Sequence, residues 1–410
     1  MKKPLEGIKV VDLTTFVAAP VTARMLADLG AEVIKIEPPA GDGWRLTGIS
    51  YVPTRFSREE NPVFDIYNSG KKMISVNLKT EDGQEIFHRL ISDADIFVTN
   101  VREAALKRMK VSYDDLKDKY PRLIYAQVIG FGHKGPDSEI PAFDTTAFWT
   151  RTGFIRDLAV IGENGTYDPI YPPSGMGDTV TGYVLLSQVN LALYQRTVTG
   201  KGQLVEACLY HSGIFTMGTM QITNQRPFGR VFPRSRADHA QLGGYYKCKD
   251  GEYIFIAAGL VARLLGQIAG AIGRPDLLDD PRYNTPEARL ANRDEFYKLL
   301  SAEFMKKTSD EWLVIAKEHD FAATKLCSFA DISEDEQALA NGFVETIEYP
   351  NGHTDMIAVP PFHMSSIEEP LTTKPTPPVG GNTDEVLRSL GYTEEQIALF
   401  KERGSVMQAE

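Results

Sequence analysis

From Ile8 to Leu13 the β-branched Ile8, Val10 and Val11 and then Leu13, broken only by Lys9 and Asp12 and preceded by Gly7, predict a strand. Thr14 to Pro20 reads as a loop. From Val21 to Leu29 the apolar positions fall at helical spacing, and Gly30 stands where a left-handed cap would end the helix. Glu32 to Ile36 returns to a strand pattern. The alternation resumes with a strand over Met73–Leu78, a helix over Glu81–Ala94, and strands over Ile96–Thr99 and Leu123–Ile129. A long helix is predicted from Thr179 to Tyr194. Leu204 to Cys208 fits either a last strand or the start of a further helix. Strands alternating with helices define an α/β fold class, with a parallel sheet and right-handed crossovers.

The pattern changes after residue 222. Between Thr223 and Ala240 stand Arg226, Arg230, Arg234 and Arg236 with few aliphatic residues, so 223–243 is read as a linker or mobile loop. Residues 244–330 form a smaller α+β domain. It opens with a hairpin, Tyr245–Lys247 and Tyr253–Ala257 around the turn Lys249-Asp250-Gly251, and continues in helices. Residues 331–410 return to the large domain begun by residues 1–222. They hold an extended Thr372–Pro378 stretch and helices over Thr383–Leu390 and Thr393–Glu402.

Charge narrows the function. Lys and Arg number 44 against 55 Asp and Glu, a net charge of −11, which makes the chain a poor non-specific binder of nucleic acid or anionic membrane. A local basic pocket for a phosphorylated ligand is still compatible. Cys208, Cys248 and Cys327 lie far apart with no Cys-x-x-Cys pair, and no histidines are spaced as a helical metal site, so no metal is expected. Few thiols, no signal-peptide core near the N-terminus and no apolar run near 20 residues lead to the expectation of a cytoplasmic protein.

The loop after the first strand lacks Gly-x-Gly-x-x-Gly, there is no Walker loop, and no Gly-x-Ser-x-Gly elbow appears. Three other stretches carry possible chemistry. In Ser174-Gly175-Met176-Gly177-Asp178 the glycines keep side chains away from a carboxylate at the start of a helix. Taken alone, Asp178 is first of all a helix cap, worth about 1 kcal/mol; the alternative is an exposed nucleophile that attacks an acyl carbonyl. Gly130-Phe131-Gly132-His133-Lys134-Gly135-Pro136 is a turn or a ligand-side loop with Lys134 available to a phosphate. Gln241-Leu242-Gly243-Gly244-Tyr245 is a domain-entry turn or a small lid.

Taken together in order, further motifs carry a resemblance. Pro4-Leu5-Glu6-Gly7-Ile8-Lys9-Val10-Val11-Asp12-Leu13, Leu29-Gly30-Ala31-Glu32-Val33-Ile34-Lys35-Ile36-Glu37 and Asn68-Ser69-Gly70-Lys71-Lys72 are followed by the Gly130 loop, Gly177-Asp178, Thr199-Gly200-Lys201-Gly202-Gln203 and Gly381-Asn382-Thr383-Asp384. This succession resembles class III CoA-transferases of the formyl-CoA transferase type over nearly the whole chain. The resemblance implies a large Rossmann-like domain and a small domain joined by linkers, in an interlocked homodimer. It makes Asp178 the nucleophile, reversing its reading as a cap, and implies an aspartyl-bound intermediate. It also implies oxyanion donors at Val17 and Ala18, a lid at Gly243 and Gly244, and coenzyme A thioesters as substrates with no permanently bound cofactor.

Departures from that pattern shape the expected substrate. Val17 stands where the formyl-specific enzyme has glutamine, and only Gly243-Gly244 replaces a longer glycine run, which favours a larger, more apolar acid. Ile129 replaces a CoA-contacting lysine and Pro38-Pro39 a basic pair, so Arg45, Lys71, Arg102 and Lys134 are the candidate CoA contacts. The superfamily also contains α-methylacyl-CoA racemases, which need a histidine where Phe143 stands; a phenyl ring moves no proton. Phe143-Asp144-Thr145-Thr146-Ala147-Phe148, Asp280-Pro281-Arg282-Tyr283-Asn284 and Gly391-Tyr392-Thr393 are most similar to the clostridial branch acting on phenyllactate and 2-hydroxyisocaproate in amino-acid fermentation. Phe148, Trp149 and Met217 are read as core or as lining of an acyl pocket.

Overall fold

The computed structural model describes residues 3–51, 55–58, 60–161, 167–228, 242–257, 263–368 and 370–409. The chain divides into two compact units, residues 1–154, 172–222 and 335–410 in one and 155–171 and 223–334 in the other. In this division the excursion 155–171, expected within the large domain, groups with the smaller unit. The expected linker is described only in part, because 229–241 lie outside the described residues.

The large unit is built on a seven-stranded sheet. Its strands are β1 (Lys9–Leu13), β2 (Glu32–Glu37), β3 (Lys72–Val76), β4 (Ile96–Thr99), β5 (Ile124–Ile129), β6 (Leu204–Cys208) and β7 (Val406–Met407). They lie in the order β7-β3-β2-β1-β4-β5-β6, all pairs parallel except β7 against β3. Successive side chains feed opposite faces. Val10 joins a core with Val33, Val98 and Leu185, while Val11 joins another with Ile36, Phe97 and Phe87. Both faces being covered explains why the strands are rich in apolar residues on successive positions, as at Val10-Val11 and Ile96-Phe97-Val98.

Helix α1 (Ala18–Asp28) begins three residues before the expected Val21. Pro20 looks like a breaker in sequence, but in the first helical turn its missing N–H costs nothing. The other helices that frame the site are α2 (Glu103–Arg108), α3 (Met176–Thr199) and α4 (Leu209–Thr216). Leu204–Cys208 is therefore the last parallel strand, and the helix follows it. Apart from the sheet, Val344–Glu348 and Thr354–Ala358 pair as an antiparallel hairpin that the sequence pattern did not announce.

The small unit holds an antiparallel sheet of Gly244–Lys247, Tyr253–Ile256 and Ala323–Lys325, packed on helices Leu264–Ala271, Arg293–Phe304 and Ser309–Glu318. Tyr246, Ile254, Ile268, Phe304 and Trp312 are buried in its core. The predicted hairpin is present, and Gly244 is its first strand residue, with a φ of 137°. No described helix is long and apolar enough to cross a membrane.

Candidate active site

The order 3-2-1-4-5 turns back on either side of β1, and in such sheets ligands bind where the loops leaving the strands part. A cleft of about 460 Å³ lies there. It is lined by Thr15–Ala18 after β1, Asn100–Arg102 after β4, Val128–Gly130 and His133 at the end of β5, Phe143, and Asp178 of α3. The start of α1 enters this cleft without a capping side chain. Its first amides therefore have no intrahelical acceptor, as an oxyanion site requires.

Asp178 is not the cap of its helix. The cap position is Gly175, in the left-handed region at φ 85°, and Asp178 follows in the first turn. A side chain at Gly175 would also meet the Tyr67 hydroxyl at 3.0 Å, and one at Gly177 would run into the Phe148 ring at 2.6 Å. Those two constraints explain the Gly-x-Gly spacing before Asp178. The capping role falls to Asp144, whose Oδ2 accepts the Gly175 N–H at 3.0 Å, with the Gly177 and Asp178 amides also directed at it. Asp144 opens a π-helical stretch, Asp144–Thr150, a wide turn often found at functional sites.

The Asp178 carboxylate accepts no recorded hydrogen bond among the described residues. Burial first, and the neighbouring Asp144 charge second, push its carboxyl up to about 8. A carboxylate that loses water and gains no partner binds protons tightly and, once ionised, is a reactive nucleophile.

The other expected residues separate into two groups. Val17, Ala18 and Arg102 line the cleft with Asp178. Lys134 is exposed, one residue beyond the cleft-lining His133, which pairs with Glu206 at 2.6 Å. Gly243 and Gly244 belong to the small unit. Arg45 and Lys71 must be withdrawn as CoA contacts. The Arg45 guanidinium is buried against Glu37 at 2.7 Å and over the Phe64 ring, and also donates to the Pro377 carbonyl. The Lys71 ammonium is buried against Asp12 at 2.8 Å, and burial pulls it down to about 8. Phe148 and Trp149 are core residues, the first stacked on Phe154 and the second tilted against it, and neither lines the cleft.

Residues absent from the sequence reading complete the cleft. A second cavity of about 730 Å³ shares Ala105 with it and is lined by Leu78, Lys79, Thr80, His88, Arg108, Met109 and Lys110. Lys79, Arg102, Arg108 and Lys110 are exposed, and none has a recorded acidic partner among the described residues. The basic residues on and beyond α2 supply the local positive patch that an acidic chain needs for a phosphorylated ligand. No cluster of three or more potential metal ligands occurs among the described residues.

The strand-end cleft of this α/β sheet joins an unpartnered carboxylate, uncapped helix amides and an adjoining basic cavity, a combination suited to handling an acyl group. A sequence model of CoA-transferase family III matches residues 5–383, and the chain belongs to that family. It is 42% identical over 401 residues to the (R)-2-hydroxy-4-methylpentanoate CoA-transferase of Clostridioides difficile, covering 97% of this chain and 98% of that one. It is 37% identical over 404 residues to the cinnamoyl-CoA:phenyllactate CoA-transferase of Clostridium sporogenes, covering 98% and 97%. A CAIB/BAIF family protein from Brucella suis has a similar crystal structure, with a TM-score of 0.78, 29% identity, and coverage of 95% of this chain and all of that one. The protein is thus an enzyme of the CoA-transferase class, as the sequence motifs implied. Phe143 leaves a racemase without its second proton carrier at that position.

Proposed function

We propose that this enzyme moves CoA between the thioester of an apolar 2-hydroxy acid, or its enoyl counterpart, and a free carboxylic acid, through covalent intermediates on Asp178. The observation that carries the reading is the unpartnered Asp178 carboxylate, with its carboxyl raised to about 8, in one cleft with the start of α1. The two clostridial relatives named above support the substrate class.

Ionised Asp178 attacks the donor thioester carbonyl; the C–S bond breaks, leaving a mixed anhydride and CoA thiolate. The thiolate then attacks the Asp178 carbonyl carbon, releasing the donor acid as carboxylate and leaving an aspartyl thioester. The acceptor carboxylate attacks that thioester, breaking its C–S bond to give a second mixed anhydride and CoA thiolate, and thiolate attack on the acceptor acyl carbon regenerates the Asp178 carboxylate and releases the new acyl-CoA. Each step exchanges one activated acyl group for another, so the chemistry calls for no ATP or resident metal. The amides at Val17 and Ala18 stabilise the oxyanions, and water must be kept from the anhydride.

The CoA nucleotide is assigned to the cavity beside Lys79, Arg108 and Lys110, and the pantetheine arm runs past Arg102 into the cleft. The working assembly is taken to be a homodimer, with Gly243 and Gly244 as the lid. The reading is tested by incubating an acyl-CoA with an isotopically labelled second acid. Appearance of the label in the CoA thioester is the expected result; exchange of the α-proton without transfer would assign an isomerase instead.

A further inference from the structure

Phe16 has a left-handed backbone, φ 63°, although it is neither glycine nor a small polar residue. Such a conformation costs about 1–2 kcal/mol and persists only where its surroundings impose it. The imposing group is visible. Asp42 Oδ1 accepts the Phe16 N–H at 3.2 Å and the Trp44 N–H at 3.0 Å. Asp42 is itself buried against Lys35 at 3.1 Å, and the Lys35 ammonium donates to the Thr14 carbonyl at 2.7 Å. A buried ion pair thus anchors the backbone leading into Phe16 at two points, the Thr14 carbonyl and the Phe16 N–H.

That ring is then aimed at a second aromatic. Phe16 and Phe143 meet edge to face, centroids 5.5 Å apart, and Trp44 supports Phe16 from behind at 6.1 Å. Phe16 and Phe143 line the cleft that holds Asp178, yet remain 37% and 52% exposed. Two large rings, one kept in place against backbone strain, present apolar surface to water beside the nucleophile.

We propose that Phe16 and Phe143 together form the specificity surface for the apolar substituent of the acid, gripping a branched or aryl side chain at least as large as isobutyl. The inference rests on the cleft being the acyl-transfer site. It adds which residues select the acid. An apolar group laid on both rings removes their exposed surface from water, and aromatic contacts add to that gain. A small acid such as lactate reaches neither ring fully.

The test compares acceptor acids against one acyl-CoA donor, with lactate, 4-methyl-2-hydroxypentanoate and phenyllactate as probes, for the unaltered protein, Phe143→Ala and Phe16→Gly. Phe16→Gly keeps the positive φ without strain, which offsets part of the ring packing lost against Trp44 and Phe143, so this variant is expected to stay folded. Each variant should lower the kcat/KM ratio of the larger acids over lactate by about 10-fold or more. An equal loss for all acids would overturn the proposal and assign the rings to the CoA arm, which every reaction shares. An equal loss with an altered oligomeric state would overturn it in favour of a subunit contact. Absence of transfer to any acid by the unaltered protein would instead remove the functional reading beneath it.

Discussion

Asp144 caps the helix that carries Asp178: the Gly175 N–H donates to Asp144 Oδ2 at 3.0 Å, so one carboxylate holds the helix start while the other stands unpaired in its first turn. The arrangement divides labour between two acids. Asp144 takes the helix amides and the favourable end of the helix dipole. Asp178 is left without a hydrogen-bond partner among the described residues and feels the Asp144 charge as a repulsion.

Replacing Asp144 separates these effects. Asp144→Asn keeps an oxygen for the Gly175 amide and removes the charge, so the acidic limb of the kcat/KM profile for donor acyl-CoA should move to lower pH with little loss of stability. Asp144→Ala removes the cap as well and should cost about 1 kcal/mol of stability. Titrating activity and Tm for both variants checks the pair. An unmoved limb in Asp144→Asn would show that the charge of Asp144 does not reach Asp178.

Asp178 should depress the stability of its own protein. Its folded-state pKa, about 8, lies above the ordinary 3.8, so the folded state holds the proton more tightly. Stability from this group is fully present below about pH 4 and is lost as pH rises to about 8. Asp178→Asn escapes that loss. Its Tm should match the unaltered protein near pH 4 and exceed it at pH 8, where even one unit of the shift is worth about 1.4 kcal/mol. Activity should fall by about 10³-fold or more. Thermal melts across this range, with an assay at each pH, measure both.

The basic cavity predicts a split in binding. Arg108→Ala and Arg102→Ala should raise KM for the acyl-CoA by about 10-fold, equally for every acyl group, and leave KM for the free acid unchanged. The loss should shrink at high salt. Lys71→Met should behave differently: removing one member of its buried pair with Asp12 costs about 3–5 kcal/mol and should show as loss of folded protein rather than as a KM effect. Circular dichroism beside steady-state kinetics distinguishes them.

The parts of the molecule legible in sequence are those set by local pattern. β1, β2 and β4 read as strands because each side chain has a buried face to fill, and the Gly130 loop and Gly175-Met176-Gly177-Asp178 read as unusual because glycine marks them. Long-range partners left no trace. Arg45 and Lys71 read as candidate CoA contacts because the sequence does not show that Glu37 and Asp12 pair with them in the fold. Asp178 looked like a cap because the true cap, Asp144, arrives from a distant turn. The two-residue strand Val406–Met407 is too short to carry a period. The left-handed turn at Phe16 is imposed by Asp42 and has no signature of its own. Arg108 and Lys110 joined the site only through the cavity that α2 borders.

The central claim is that Asp178 becomes covalently acylated. Incubating the enzyme with donor acyl-CoA, quenching with hydroxylamine and mapping the modified peptide by mass spectrometry tests it most directly. The expected result is a hydroxamate on Asp178, formed only when donor is present and absent from Asp178→Asn. Full turnover by Asp178→Asn, or an adduct on a different acidic side chain, would contradict it.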